Sequence, residues 1–87
     1  MKRWSKKKII ELIQNDIEVD YIHVHSSTRR NGDEPEEGYL LQVGKENRNA
    51  SLWFHSLQYF ARAWKPIIKP RITKQLNLNP KQYGRIL

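Results

Sequence analysis

Ala50-Ser51-Leu52-Trp53-Phe54-His55-Ser56-Leu57-Gln58-Tyr59-Phe60-Ala61-Arg62-Ala63-Trp64 is the stretch whose reading decides the fold. It holds two of the three tryptophans and both phenylalanines of an 87-residue chain. Large aromatics dominate the burial energy of a small core, so the core must be built around it. Its second half repeats at helical spacing, with Leu57, Phe60, Ala61 and Trp64 on one face. Its first half alternates, Leu52 and Phe54 against Ser51, Trp53 and His55. The pattern predicts a strand over 50–55 that turns into a helix, with Ser56 as N-cap. A helix from Ser51 onward is the competing reading, since Trp53 joins the same helical face; Leu52 and Phe54 would then face the wrong way.

Upstream, Ser5 is a candidate N-cap for a helix whose apolar stripe is Ile9, Ile10, Leu12 and Ile13, with Trp4 stapling its start and Asn15-Asp16 ending it. Residues 17–25 predict a first strand, with Ile22 and Val24 on one face and Val19 and Tyr21 on the other. Residues 26–38, Ser-Ser-Thr-Arg-Arg-Asn-Gly-Asp-Glu-Pro-Glu-Glu-Gly, have no apolar residue besides Pro35 and predict a mobile loop around the Asn31-Gly32 turn signal. Residues 39–43 predict the second strand. Downstream, Pro66 and Pro70 predict a basic connector over 65–70, because proline does not belong inside a helix. Residues 71–87 predict two short helices around a turn.

The expected fold is therefore a single α+β domain over 1–87. It is a three-stranded antiparallel sheet with helices packed on it in α-β-β-β-α order, plus a short helical C-terminal extension. Trp64, Phe60, Leu57, Ile9, Leu12 and Ile13 would share the core. The order is similar to that of the double-stranded RNA-binding fold and of small toxins built on the same plan. The alternative is a strand hairpin attached to a three-helix C-terminal unit beginning at Ser51.

The formal net charge is +7, and its distribution is uneven. Lys2, Arg3, Lys6, Lys7 and Lys8 give the first eight residues +5, with no acid. Arg62, Lys65, Lys69, Arg71, Lys74, Lys81 and Arg85 give residues 56–87 +7, again with no acid. The middle holds all nine carboxylates against Arg29, Arg30, Lys45 and Arg48, a balance of −5. Cationic ends on an anionic middle point to a polyanion partner. Lys6, Lys7 and Lys8 also crowd the first turn of a helix, where the dipole disfavours cations and a phosphate would relieve them.

The segment Ile72-Thr73-Lys74-Gln75-Leu76-Asn77-Leu78-Asn79-Pro80-Lys81-Gln82-Tyr83-Gly84-Arg85-Ile86-Leu87 resembles the helix-turn-helix of bacterial DNA-binding proteins. Ile72 and Leu76 would face the core. Asn77 would take the left-handed turn position, and Leu78 would plug the turn. Asn79 would cap a second helix, with Pro80 at its first position. The resemblance implies that Lys81, Gln82 and Arg85 face a major groove. The nucleic-acid-binding candidates are thus Lys6, Lys7, Lys8, Lys69, Arg71, Lys74, Lys81, Gln82 and Arg85, with DNA favoured over RNA.

No catalytic constellation is visible. His23 and His25 share a strand face, but nothing requires His55 to join them, and ordinary sheet histidines are the expectation. Asp33, Glu34, Glu36 and Glu37 lack the ligand spacing of a calcium loop. There are no cysteines and no apolar run near membrane-spanning length. The sequence predicts a non-enzymatic cytoplasmic regulator or mobile-element accessory factor. It would have no catalytic residue, metal or cofactor and no membrane association. A protein partner and a homodimer stay open. The alternative function is a protein-binding adaptor or inhibitor acting through the acidic 26–38 segment or the aromatic surface.

Overall fold

A computed structural model describes residues 3–78. Helix α1 (Lys6–Asp16) precedes three strands, β1 (Tyr21–Asn31), β2 (Glu34–Lys45) and β3 (Arg48–Phe54). Helix α2 (Leu57–Ala63) follows, then a π-helical turn (Trp64–Ile68) and helix α3 (Lys69–Gln75). The sheet has order β1-β2-β3 and is antiparallel throughout. This is the expected α+β architecture, and it rejects the three-helix alternative because 48–54 is a strand.

The deciding stretch behaves as its pattern predicts. Ser56 caps α2 by accepting the Tyr59 backbone N–H at 3.0 Å. Inward-facing rings then stitch sheet to helix: Tyr39 to Phe54 at 5.5 Å, Phe54 to Phe60 at 4.7 Å, Phe60 to Trp64 at 5.6 Å. Ser5 caps α1 in the same way, accepting from the Lys8 N–H at 3.2 Å. Ile9 and Ile13 of α1 meet Leu41, Val43, Ala50 and Phe54 of the sheet in one core. Leu12, Leu57 and Trp4 pack at its edge. Trp64 is fully buried, and its Nε1–H donates to Asp16 Oδ2 at 2.6 Å, tying the end of α1 to the end of α2.

The 65–70 connector is a correction: the chain stays helical from Leu57 to Gln75. Phe60, Trp64, Ile68, Ile72 and Leu76 recur every fourth residue, and all are buried. On a regular α-helix such a row drifts about 40° per step. The wider π turn takes up part of that drift and keeps the row on the core. Pro66 falls within that π turn, and Pro70 in the first turn of α3, where a missing N–H costs little.

The 26–38 loop is a second correction. β1 continues to Asn31 and β2 starts at Glu34, so only Gly32 and Asp33 turn the chain. Gly32 has φ +68°, the left-handed value that a primed hairpin turn requires. Register runs unbroken from Tyr21↔Gly44 to Asn31↔Glu34. β3 reaches only Tyr39, its Phe54 partner, so residues 27–38 project as a two-stranded ribbon beyond the third strand. The first strand starts later than expected: Ile17 is the buried C-cap residue of α1, and β1 begins at Tyr21.

Candidate nucleic-acid interface

The helices all lie on one face of the sheet: α1 against β1, α2 and α3 against β3. Trp4, at the start of α1, shares a cleft with Ser56, Leu57 and Gln58 at the start of α2. Asp16, at the other end, meets Trp64 and comes within 3.8 Å of Lys69 Nζ. The two helices therefore lie side by side with their N-termini together. This separates the cationic candidates into two groups, a helix length of about 16 Å apart.

At one end Lys6, Lys7 and Lys8 form the exposed first turn of α1. Lys8 Nζ donates to the Arg3 carbonyl at 3.2 Å, which holds the basic start of the chain against the helix. At the other end Arg71 and Lys74 are exposed on α3, while Lys69 is half-buried and shares Asp16 with the Trp64 indole. Lys69 is thus tied into the fold, and its charge is offset by Asp16. Arg62 and Lys65 are exposed on the same helical run and belong to the group, although the sequence reading left them out of the site. Their signal was the unbroken helix itself, which the two prolines concealed. Among the described residues, Arg62, Lys65, Arg71 and Lys74 have no carboxylate partner.

α3 ends in a turn that is described as far as Leu78. Ile72 and Leu76 are fully buried. Asn77 has φ +56°. The Leu78 N–H donates to the Thr73 carbonyl at 2.9 Å and the Asn77 N–H to Lys74 at 3.1 Å, the paired bonds of a Schellman ending. Leu78 packs against the core. Thr73 is buried and donates its hydroxyl to the Pro70 carbonyl at 3.0 Å. Lys81, Gln82 and Arg85 lie outside the described residues.

Among the described residues, no helix lies on the opposite face of the sheet. On it Tyr21, His23 and His25 line β1, with centroids 5.3 and 5.7 Å apart along the row. The Tyr21 ring lies over Gly44, where a Cβ would come within 2.1 Å of it. The Trp53 ring lies over Gly38, and the Arg29 guanidinium covers that ring at 3.8 Å from its centroid. Arg29 also pairs with Glu36 at 3.0 Å. His25 Nε2 and Gln42 Oε1 are 3.2 Å apart. His55 sits apart from the other two histidines, its ring against Tyr59 of α2 at 5.0 Å. Among the described residues no three His, Cys, Asp or Glu side chains gather as a metal site, and no helix is long and apolar enough to cross a membrane.

The acidic residues Asp33, Glu34, Glu36 and Glu37 all lie in the ribbon or its turn, away from both cationic groups in sequence and in element. Four of the nine carboxylates are thereby gathered on the ribbon and its turn, while Glu11 and Asp16 lie on α1 among the cations of the helical layer. No protein family, curated protein or solved structure matches this chain, so its function is read from this geometry and chemistry alone.

Proposed function

We propose that this is a small, non-enzymatic nucleic-acid-binding protein that grips phosphates with its helical layer. The observation that carries the reading is the run from Leu57 to Gln75, with exposed Arg62, Lys65, Arg71 and Lys74 and no acid. Free surface cations unopposed by carboxylates are what a polyanion requires, because neutralised phosphates release their counterions. Lys6, Lys7 and Lys8 supply a second phosphate contact about 16 Å away, roughly five base pairs of duplex rise. The helix-turn-helix resemblance adds Lys81, Gln82 and Arg85 as base-reading side chains, which is why DNA is favoured.

The test is fluorescence anisotropy with a labelled mixed-sequence duplex at 50 and 200 mM salt. Four phosphate contacts predict a loss of roughly a hundredfold in affinity between the two. Replacing Arg62, Lys65, Arg71 and Lys74 together by alanine should flatten that dependence. An absence of binding at low salt would overturn the reading.

A second reading, a protein-binding adaptor or inhibitor, is favoured by the acidic ribbon, which stands clear of the core where a partner can reach it. It becomes the better account if the duplex assay fails and a variant lacking the ribbon carboxylates loses a partner recovered by the wild type.

A further inference from the structure

The outer edge of β1 is a surface that the phosphate-gripping layer leaves unused. β1 is an end strand of the sheet, and among the described residues it pairs only with β2. Sheets blunt such an edge with charge, proline, a bulge or a covering element, because its unpaired N–H and C=O groups are a template for another strand. From Tyr21 to Thr28, β1 carries no Lys, Arg, Asp, Glu or Pro, and its register against β2 has no bulge. On the helix side of this edge Ile22 and Val24 are only half-buried, at the margin of the core. The charges stand at its two ends and differ in sign. Glu18 and Asp20 precede the strand, and Arg29 and Arg30 lie near its close. The Asp20 N–H donates to the Gly44 carbonyl at 2.7 Å, so the chain already runs beside β2 there. Glu18 and Arg30 are exposed and, among the described residues, have no ion-pair partner.

We infer that two copies of this chain join edge to edge through β1, antiparallel, so that their two three-stranded sheets become one. Pairing a strand antiparallel with itself brings the acidic start of each copy to the basic end of the other. One edge therefore supplies both halves of the charge complementarity. For the helix side of one copy to continue the helix side of the other, inward residues must face inward residues. The register with Val24 on the two-fold axis does this. It sets Arg30 opposite Glu18 of the second copy and joins Ile22 and Val24 of both copies in one apolar seam. It also lays the start of the second β1 against Ser27 and Thr28, where the ribbon leaves the sheet. A two-stranded ribbon is marginal alone, and this gives its base a third strand. The β3 edge offers no such match: α2 and α3 lie against that strand, Ala50 and Phe54 are already buried, and Arg48 is its only charge. The inference goes beyond the nucleic-acid reading and does not depend on it.

The experiment is sedimentation equilibrium of the full chain from low micromolar to millimolar concentration. Wild type should pass from monomer to dimer. Glu18→Arg and Arg30→Glu each set like charges across the interface twice per dimer, and each should weaken the dimer roughly tenfold. The double variant Glu18→Arg/Arg30→Glu restores opposite charges and should recover the wild-type dimer. Both residues are exposed, so thermal melts should change little. The chain has no cysteine, which lets a second measurement fix the register. Val24→Cys places a thiol on the axis opposite its own copy, and mild oxidation should give a covalent dimer. Ser27→Cys, opposite Tyr21 of the second copy, should not cross-link.

Loss of dimer in both single variants with recovery in the double variant supports the inference. A wild type that stays monomeric overturns it and leaves the edge to a strand of another protein. A double variant no tighter than the single ones overturns it too, as does Ser27→Cys cross-linking as readily as Val24→Cys. Failure here leaves the duplex-binding reading standing, since neither Glu18 nor Arg30 belongs to the helical layer.

Discussion

The two halves of the β1–β2 hairpin share one register but not one source of stability. In the first half, residues 21–26 against 39–44, Ile22, Val24, Leu41 and Val43 alternate inward and the helices cover them. In the second, 27–31 against 34–38, no residue is apolar except Pro35, and none of the described helices backs it. The first half is held by burial, at roughly 25 cal/mol per Å² of apolar surface. The second is held by backbone pairing, a two-residue turn and the Arg29–Glu36 and Arg29–Trp53 contacts. An isolated two-stranded ribbon is marginal in water, so this one depends on the anchored half below it. Strand geometry can therefore extend beyond the core when the register is already set.

The sharpest way to break that dependence is at the core. Trp64→Ala removes a fully buried ring and leaves the Asp16 carboxylate without its indole donor. The expected cost is about 3–5 kcal/mol, enough to unfold a domain of this size. Circular dichroism at 25 °C should show loss of both halves together. An unchanged melting temperature would contradict the burial.

A substitution at the junction should separate the halves. Gly38 lies where the ribbon leaves the sheet, and a Cβ there would be 2.4 Å from the Trp53 ring and 2.5 Å from the Phe54 carbonyl oxygen. Gly38→Ala is expected to cost about 1–3 kcal/mol through overpacking. Thermal melts measure that loss. Amide exchange should rise more in residues 27–38 than in the strands below; uniform acceleration would mean that the two halves unfold as one unit.

The smallest effect belongs to the ribbon alone. Arg29→Ala removes the cation over Trp53 and the Glu36 partner, both partly exposed, so the expected loss is under about 1 kcal/mol. Amide exchange should rise within the ribbon with little change in melting temperature. A drop of many degrees would show that the ribbon supports the core rather than the reverse.

The same contrast explains what could be read from the sequence. Where burial selects the residues, the pattern was legible: the strand-to-helix switch at Ser56, the Ser5 cap, the inward side of β3 and the burial of Trp64. Asn77 was legible because few residues tolerate the left-handed turn it adopts. Where burial is silent, reading failed. Residues 27–38 lack the apolar alternation that marks a strand, and only the Gly32 turn and the unbroken register extend it. Pro66 and Pro70 read as helix breakers because local rules see the lost N–H, not the row of Trp64, Ile68, Ile72 and Leu76 that holds the run to the core. That second misreading also concealed part of the candidate site, since Arg62 and Lys65 gain their meaning only on a continuous helix. The aromatic row of the open face was visible as alternation, but which side of the sheet the helices would leave bare was not.

The hydrogen bond from Trp64 to Asp16 spans 48 residues of chain. At a synthesis rate of about 5–20 residues per second, the first helix emerges roughly 2–10 s before the tryptophan that completes its packing. During that interval Ile9 and Ile13 have only the unfinished sheet to lie against, and an 11-residue helix with three lysines in its first turn is marginal alone. The domain is accordingly one that folds late in its own synthesis, with its N-terminal helix docking when the aromatic stretch arrives.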